Sequence, residues 1–397
     1  MCDHLHFFES GNGRTAAALP FSQPQVVQQW VDLRGAMRRT VPAEFSRDEW
    51  AYLMAFLSPE NLHAPFLAAF GQPVEGGKPS RLVRPRGLVA VWLPNNVSLL
   101  GPLTLVLLTL TGNRLWLKGG SRSEDLTGVF LSFALDHLAD GALRHYLQQQ
   151  VRYEVFDHGD PRQQQMTGQA DVRIVFGSEA AGAAIHGMAP PLQGIGFSFL
   201  NRQSQAWIET GAATDEVLAA LIRVFAIYGQ AGCTSPRRVV LVNGARQEAE
   251  AVRNRMLELW PQVLRTRPPM HIASNNTMAM QWAAACGWDV AIAANHHAAL
   301  GVGALGLEAI DAPMFLPISP ATLEEAIAHL PPNIQTLGHS FVDPQDRRWL
   351  RLAAQTRIKR LVPIAHMHHF GPLWDGHRFW EHCFEQVEIS DDPAARL

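Results

Sequence analysis

Charged residues are scarce in this sequence. Asp, Glu, Lys and Arg make up 17% of its 397 residues, against roughly 25% in an average soluble domain, while 47% of the residues are hydrophobic. A chain with so many apolar residues buries them in cores or interfaces, which excludes disorder as its main state. The 33 basic and 36 acidic residues nearly cancel and form no basic stripe, so we expect no nucleic-acid partner.

Cysteine is also rare and lacks a metal-binding spacing. The four cysteines stand at positions 2, 233, 286 and 383, without any C-x-x-C pair. This spacing fits neither a zinc site nor the disulfide framework of a small secreted domain, and the thiols are predicted to be reduced. The first ten residues lack the basic flank and the apolar run of a signal peptide, so we expect a cytoplasmic protein.

No apolar run has the length of a membrane span. The most apolar stretch, residues 97–111, contains Gly101 and Pro102 and falls short of the roughly 20 residues that a transmembrane helix needs. It is predicted to be a buried helix, and we expect no membrane span in this protein.

Apolar strand-like runs alternate with helical patterns from residue 86 onward. This alternation is typical of a parallel sheet covered by helices on both faces, so the predicted fold class is α/β. The length of the chain suggests two domains, and a second strand and helix series begins near residue 209. We predict an N-terminal domain at 1–208, beginning with a helical segment, and a second domain at 209–397. The segment from about 361 to 397 either packs back on the protein or lies at an oligomer interface.

Cys233 is the first candidate for chemistry. It stands in YGQAGCTSPRRVVLV, in a predicted loop between a helix and a strand. Loops at element ends display reactive groups, flanking glycines let the backbone approach a substrate, and nearby Arg237 and Arg238 would favour a thiolate. A buried structural cysteine is the alternative that this local pattern leaves open. Cys286 and Cys383 are predicted to be packing residues.

Three segments that follow predicted strands are candidate ligand sites. The turn LPNN contains Asn95 and Asn96, which are predicted to open a helix; an amide there can donate to an oxyanion, although capping is its commoner use. Lys118 ends a strand at the carboxyl edge of the sheet, where ligands usually bind, and a solvated strand end is the alternative. FGSEAAG places Gly177, Ser178 and Gly182 at a strand-to-helix junction, whose N–H groups favour a pyrophosphate.

Histidines cluster between residues 366 and 382. No H-E-x-x-H pattern accompanies them, and H-x-H-H in a β-like segment points successive side chains to opposite faces. These histidines, like His296 and His297, are predicted to be structural or surface residues. The sequence therefore predicts no metal site.

In order and spacing, these segments resemble the aldehyde dehydrogenase superfamily, and more closely its acyl-CoA reductase branch, the fatty acyl-CoA reductases of bacterial bioluminescence operons. The resemblance spans roughly residues 82–390. The closer likeness lies in NIQTLG and in RIKRLVPIAHMHHFGPLWDGHRFWEH, residues 333–338 and 357–382. The superfamily patterns P-x-N, G-N-x-x-x-x-K, G-S-x-x-x-G and G-Q-x-C correspond to Pro94–Asn96, Gly112–Lys118, Gly177–Gly182 and Gly229–Cys233.

The resemblance implies a fold and roles for particular residues. The fold would be two Rossmann-like parallel-sheet domains with the active site between them, the first binding NAD(P) and the second carrying the nucleophile. Cys233 would be that nucleophile and Asn96 the oxyanion donor, whereas Asp375 and Gly376 match a family motif of unassigned role. The residues implied to line the cofactor site are Pro94, Lys118, Gly119, Ser121, Gly177, Ser178 and Gly182.

The resemblance favours NADPH as the cofactor, with NADH left open. Lys118 and the small residues that follow it offer a cation and small donors for a 2′-phosphate. We expect a homodimer or a larger oligomer, and membership of a biosynthetic enzyme complex stays open.

Two departures from the superfamily pattern bear on the activity. The nucleophile segment reads G-Q-A-G-C, one residue longer than the pattern, which leaves the register of the loop open. GIGFSF, which corresponds to the E-L-G-G segment of hydrolytic aldehyde dehydrogenases, has no glutamate to activate water. The implied activity is NAD(P)H-dependent reduction of an acyl-CoA or acyl-carrier-protein thioester to an aldehyde through a covalent cysteine adduct. A CoA-acylating or hydrolytic aldehyde dehydrogenase and an inactive scaffold that binds an acyl carrier are the alternatives.

Overall fold

The computed structural model describes residues 6–9, 16–19, 23–74, 81–97, 99–121, 124–265, 268, 270–307, 310, 312–369 and 373–389. Its strands are β1 (His6–Glu9), β2 (Ala16–Leu19), β3 (Gln72–Val74), β4 (Arg81–Pro85), β5 (Leu88–Trp92), β6 (Arg114–Gly119), β7 (Val151–Val155), β8 (Val172–Gly177), β9 (Ile195–Leu200), β10 (Gln203–Glu209), β11 (Pro236–Val242), β12 (Asp289–Ile292), β13 (Ala299–Val302), β14 (Phe315–Ala321), β15 (Ile334–Ser340), β16 (Arg360–Pro363) and β17 (Phe384–Glu388). Its α-helices are α1 (Gln23–Met37), α2 (Arg47–Phe56), α3 (Pro59–Phe70), α4 (Leu100–Thr109), α5 (Leu126–His137), α6 (Ala142–Gln150), α7 (Arg162–Gln169), α8 (Glu179–His186), α9 (Asp215–Ala226), α10 (Arg246–Val263), α11 (Met270–Ala285), α12 (Leu323–Ala328), α13 (Arg347–Gln355) and α14 (Phe379–His382), and short 3-10 helices lie at Ala294–His296 and Ile364–His366.

The chain forms two compact units, Met1–Leu200 with Phe370–Leu397, and Asn201–His369. This division differs from the predicted boundary at 208/209. Strand β10 pairs in parallel with β11 and β15, so residues 203–208 belong to the second unit although they precede the expected boundary. The C-terminal segment belongs to the first unit because β17 pairs antiparallel with β4.

The first unit is built on a parallel sheet with the strand order β7-β6-β5-β8-β9. In order of sequence within this sheet, that arrangement is 3-2-1-4-5, which places a crevice at the carboxyl ends of the strands where the order reverses. All five residues of β5 are buried, as expected for a central strand covered on both faces. Helix α4, which the sequence predicted as a buried helix, has nine of its ten residues buried.

A second sheet of the first unit has the order β17-β4-β2-β1-β3. Asn113, directly before β6, is fully buried and connects this sheet to the parallel one. Its Nδ2 donates to the Cys383 carbonyl at 2.8 Å, and its Oδ1 accepts from the Gly87 amide at 2.8 Å. Cys383 is fully buried, and burial raises the pKa of its thiol to about 12. It is a packing residue in the structure, as the sequence predicted.

The second unit is built on a seven-stranded sheet with the order β12-β13-β14-β11-β10-β15-β16. Its strand pairs are parallel except for the β12–β13 pair. Successive residues of β10 face opposite sides of this sheet. Ile208 packs in a core with helices α9 and α10, including Phe225 and Trp260. Trp207 packs on the other side with Phe341 and Trp349.

None of the helices in the described part of the chain combines the length and the apolar character that crossing a membrane requires.

Candidate active site

Cys233 lies in the loop between α9 and β11 of the second unit. Its side chain is half-buried, so the structure does not enclose it as the alternative of a buried structural cysteine requires. Its backbone carbonyl accepts a hydrogen bond from the Ser204 hydroxyl at 2.7 Å, which ties the loop to the amino end of β10. A partly exposed thiol in a loop at a strand end is accessible to a substrate.

The loop that carries Cys233 depends on two residues in the left-handed backbone region, Gly229 with φ 55° and Gln230 with φ 63°. The Gln230 side chain is buried and donates to the Phe315 carbonyl at 2.8 Å, which holds the turn against β14. Gly232 has no room for a side chain, because a Cβ there would lie 2.9 Å from Tyr228 Cδ2 and 3.1 Å from Ser235 Oγ. The additional residue of G-Q-A-G-C is thus accommodated in a tightly folded loop.

His368 contacts the residue that follows Cys233. Its Nδ1 lies 2.6 Å from Thr234 Oγ1, and its Nε2 lies 2.7 Å from the Val224 carbonyl. Burial, followed by smaller electrostatic contributions from Arg360 and His369, lowers the pKa of His368 to about 4, so the ring is neutral at pH 7. A carbonyl only accepts hydrogen bonds, so Nε2 carries the hydrogen and Nδ1 accepts one from the Thr234 hydroxyl.

Arg360, the first residue of β16, presents a positive charge to Cys233. Its guanidinium donates to the carbonyls of His366, Met367 and His369 at 3.3, 3.1 and 2.8 Å. Burial lowers the pKa of Arg360, and the negative charge of a Cys233 thiolate acts against this lowering. Because electrostatic attraction is mutual, the guanidinium favours the thiolate form of Cys233.

Neither Arg360 nor His368 was predicted from the sequence to act on Cys233. The thiolate-stabilising charge was assigned instead to Arg237 and Arg238, which lie nearer to Cys233 in sequence. Arg237 is exposed on β11, and Arg238 donates to the Leu305 carbonyl at 2.8 Å. The H-x-H-H pattern is the only sequence signal at residues 366–369, and it predicts structural histidines.

In the first unit, Lys118 is the second-to-last residue of β6 and is only 4% exposed. This burial excludes the alternative of a solvated strand end. Its Nζ lies 5.6 Å from the centre of the Phe156 ring. Burial lowers the pKa of Lys118, and the charge of Asp157 acts in the opposite direction. A buried cation at the carboxyl edge of a parallel sheet is suited to an anionic ligand.

The turn after β5 differs from the prediction. Asn95 and Asn96 do not open a helix: they are exposed in a bend after the half-buried Pro94, and α4 begins only at Leu100. The N-cap residue of α4 is the buried Leu99, which makes no side-chain cap hydrogen bond. At this end of the helix the Leu100 amide donates to the Val97 carbonyl at 3.1 Å.

Gly177, Ser178 and Gly182 lie at the junction of β8 and α8, as predicted. Ser178 is the N-cap, and its hydroxyl accepts from the Ala181 amide at 3.2 Å. Gly182 is buried in the first turns of α8 and faces Leu200 of β9, where a Cβ would collide with the leucine side chain. The three segments that follow β5, β6 and β8 thus lie at one edge of one sheet, and Gly119 and Ser121 continue the β6 segment.

Asp375 and Gly376 form a tight turn in the first unit. Both have positive φ, 50° and 83°, and the amide and carbonyl groups of Trp374 and His377 pair across them at 2.9 Å. Asp-Gly with two positive φ angles is typical of a type I′ turn. The turn holds Trp374 against Phe176, with the ring centres 5.5 Å apart.

Within the described residues, no group of three or more His, Cys, Asp or Glu side chains is arranged to hold a metal ion. The histidines of the C-terminal third are instead in packing contacts: His366 stacks on His369 with ring centres 4.5 Å apart, and His377 and His382 contact Phe197 at 5.7 and 5.2 Å. Cys2 lies outside the described residues.

The fold resembles that of aldehyde dehydrogenases of known structure. An aldehyde dehydrogenase from Bartonella henselae is 14% identical and matches 93% of this chain and 87% of its own with a TM-score of 0.61. An aldehyde dehydrogenase from Mycobacterium tuberculosis complexed with NAD+ is 14% identical, with 92% and 83% coverage and a TM-score of 0.54. An oxidoreductase from Marinobacter aquaeolei is 14% identical, with 92% and 84% coverage and a TM-score of 0.64. These matches confirm the predicted aldehyde dehydrogenase-like α/β fold.

The family follows from the sequence. The family model described as acyl-CoA reductase (LuxC) matches residues 26–297, more than half of the chain. A search of curated proteins finds no match. The chain belongs to the acyl-CoA reductase (LuxC) family and is an oxidoreductase with the aldehyde dehydrogenase fold, which confirms the predicted resemblance. Its general activity is the reduction of an acyl group to an aldehyde.

Proposed function

We propose that this enzyme reduces an acyl thioester, carried by coenzyme A or by an acyl-carrier protein, to an aldehyde through a covalent adduct on Cys233. The observation that carries the proposal is the half-buried residue Cys233 in a loop whose charged neighbour is Arg360. A thiolate is the nucleophilic form of cysteine, and a nearby guanidinium increases its population. Membership of the acyl-CoA reductase family supports the thioester as the substrate class.

In the proposed reaction, the Cys233 thiolate attacks the thioester carbonyl and forms a tetrahedral oxyanion. Asn96 and a backbone N–H donate hydrogen bonds to that oxygen, the carbon–sulfur bond to the carrier breaks, and the carrier leaves as a thiolate that takes up a proton. When bound, the nicotinamide supplies the hydride that reduces the acyl-enzyme to a thiohemiacetal oxyanion. Collapse of this oxyanion breaks the carbon–sulfur bond to Cys233, which releases the aldehyde and restores the thiolate.

The residues at the carboxyl edge of the first sheet fit a dinucleotide. The strand order 3-2-1-4-5 creates the crevice that such cofactors use, and the buried Lys118 offers a cation for a phosphate or a ribose hydroxyl. NADPH is the proposed cofactor. In NAD enzymes of this type a carboxylate often follows the second strand to bind the ribose 2′-hydroxyl, whereas here β6 ends in Lys118 and Gly119 and is followed by Ser121. A lysine and a serine hydroxyl suit the additional phosphate.

Reduction is favoured over hydrolysis by the side chains of β9. This strand, IGFSFL, contains no carboxylate that could activate water. Phe197 and Phe199 are buried, and the Ser198 hydroxyl lies 2.6 Å from His186 Nε2. Without the carboxylate that hydrolytic aldehyde dehydrogenases have in this segment, hydrolysis of the acyl-enzyme is slower, so the acyl-enzyme persists longer until the hydride arrives.

The proposal is tested by NADPH oxidation with a panel of acyl-CoA thioesters of increasing chain length. We expect turnover with the parent enzyme, none above background with Cys233→Ala, and near-parent turnover with Cys286→Ala, the matched change at another half-buried cysteine. Mass spectrometry without cofactor should detect one acyl adduct on Cys233.

Other outcomes identify the alternatives. Free acid from aldehyde and NAD(P)+ without CoA would indicate a hydrolytic dehydrogenase, and acyl-CoA formed only when CoA is added would indicate a CoA-acylating one. The absence of both turnover and adduct at every chain length would indicate a scaffold that binds an acyl carrier.

A further inference from the structure

We propose that His368 is a positioning residue for Cys233: by accepting the hydrogen bond of the Thr234 hydroxyl, it holds the Cys233 loop so that the sulfur faces Arg360. This inference rests on the proposed role of Cys233 as the nucleophile. In the proposal His368 acts through Thr234 and the loop, and it is not itself a reacting group.

The two hydrogen bonds of His368 connect both ends of the loop. Nε2 bonds the carbonyl of Val224 in the last turn of α9, and Nδ1 bonds Thr234, two residues before β11 begins. The Tyr228 ring packs against the imidazole with ring centres 4.6 Å apart. The imidazole is therefore a brace between the beginning and the end of the segment that carries Cys233.

The loop needs such a brace because its own sequence is permissive. Glycines at 229 and 232 give the backbone more conformational freedom than other residues would. The hydrogen bond at Thr234 fixes the position directly after Cys233. Without this hydrogen bond, His368 Nδ1 would be a buried acceptor without a partner. The free-energy cost of leaving it unpaired exceeds the net stabilisation that the bond provides.

Arg360 holds the segment that contains His368. Its guanidinium bonds the carbonyls of His366, Met367 and His369, which flank His368 in sequence, and its charge also attracts the Cys233 thiolate. One cation thus fixes the segment that braces the loop and stabilises the reactive form of the sulfur. A loop that moves away from this arrangement loses the attraction to Arg360.

The test is the pH dependence of Cys233 alkylation by iodoacetamide in the full-length protein without substrate or cofactor, quantified on the Cys233 peptide by mass spectrometry. Thr234→Val removes the hydroxyl and keeps the branched shape. We expect it to raise the midpoint of the pH profile by about one unit and to lower the rate at pH 7 about tenfold. Thr234→Ser keeps the hydroxyl and should remain within about twofold of the parent rate.

A second pair of variants separates positioning from general stability. His368→Gln offers both an acceptor and a donor and should recover part of the parent profile, whereas His368→Phe should not. Thr210→Val is the matched control. It removes a hydroxyl hydrogen bond to the Val242 carbonyl at the carboxyl ends of β10 and β11, whereas the Cys233 loop lies at their amino ends. It should leave the midpoint unchanged even where it lowers the melting temperature.

A parent-like midpoint in Thr234→Val, or in Thr234→Ala if the valine variant does not fold, would overturn the inference. That result concerns only the thiol and leaves the proposed function intact. Conversely, parent-like NADPH oxidation by Cys233→Ala would refute the proposed function, while the alkylation profile would still report whether His368 positions the loop.

Discussion

The ammonium group of Lys118 lies 5.6 Å from the centre of the Phe156 ring, and the lysine is almost completely buried at the end of β6. The aromatic ring stabilises the cation without neutralising it, so the charge stays available to a ligand. Burial at the same time lowers the pKa of the lysine. These two effects make Lys118 a cofactor-binding candidate with a measurable pH signature.

Replacing Lys118 should weaken cofactor binding specifically. We expect Lys118→Met to raise the dissociation constant of NADPH by about 10- to 100-fold, because a charge-assisted hydrogen bond is lost. Titration of NADPH fluorescence measures the change. Lys359→Met, at an exposed lysine of the second unit, is the matched control and should leave the affinity unchanged. Equal weakening in both variants would contradict the role of Lys118.

The pH dependence of NADPH affinity has a definite sign. The pKa of Lys118 is lowered, so the ammonium loses its proton at a lower pH than an ordinary lysine. Affinity is therefore expected to fall as the pH rises through this lowered pKa, and Lys118→Met should abolish that alkaline fall. An identical alkaline fall in the parent and in Lys118→Met would assign the effect to another group.

Asn96 should affect the chemical step more than substrate binding. If its amide donates to the oxyanion, Asn96→Ala lowers kcat about 100-fold with little change in KM. Asn95→Ala, at the exposed neighbour in the same bend, should keep a kcat close to that of the parent. Steady-state kinetics with one acyl-CoA decides, and equal losses in the two variants would attribute the effect to the shape of the turn.

Gly182 should be required for packing between α8 and β9. A Cβ there would lie 2.4 Å from Leu200 Cδ1, so the half-buried leucine must shift, and Gly182→Ala is expected to lower the free energy of unfolding by up to about 1 kcal/mol. In α7, no atom of the described residues lies within 4 Å of the position that a Cβ of Gly168 would occupy, and Gly168→Ala should instead stabilise by about 0.5–1 kcal/mol. Urea denaturation measures both, and destabilisation by both variants to the same extent would contradict the packing argument.

The folded protein should become less stable at acid pH because of His368. Its pKa is about 4 in the folded protein and near 6.5 when unfolded, so the unfolded state binds the proton first as the pH falls. The part of the free energy of unfolding that depends on a neutral His368 is fully present above pH 6.5. It is lost progressively toward pH 4, by up to about 3 kcal/mol. Urea midpoints at pH 7 and pH 5 should differ more in the parent than in His368→Gln. A parent difference as small as that of the variant would contradict the low pKa of His368.

The sequence by itself determined the α/β class and the strands and helices that carry the motifs. Continuous apolar runs such as those of β5 and β8 and the 3.6-residue period of α9 are local properties, and local propensity decides them. The positions of Lys118 and Ser178 at strand ends followed from the same patterns. The burial of Lys118 did not, because it depends on Phe156 and the neighbouring strands.

Only the tertiary structure decided the surroundings of Cys233. His368 lies 134 residues from Thr234 in sequence, and Arg360 is similarly distant from the cysteine, so no spacing rule connects them. The unit boundary at Asn201 and the return of β17 to the first unit also depend on strand pairing between distant segments. Local patterns select helices and strands, but the partners of a side chain in a loop are selected by how those elements pack together.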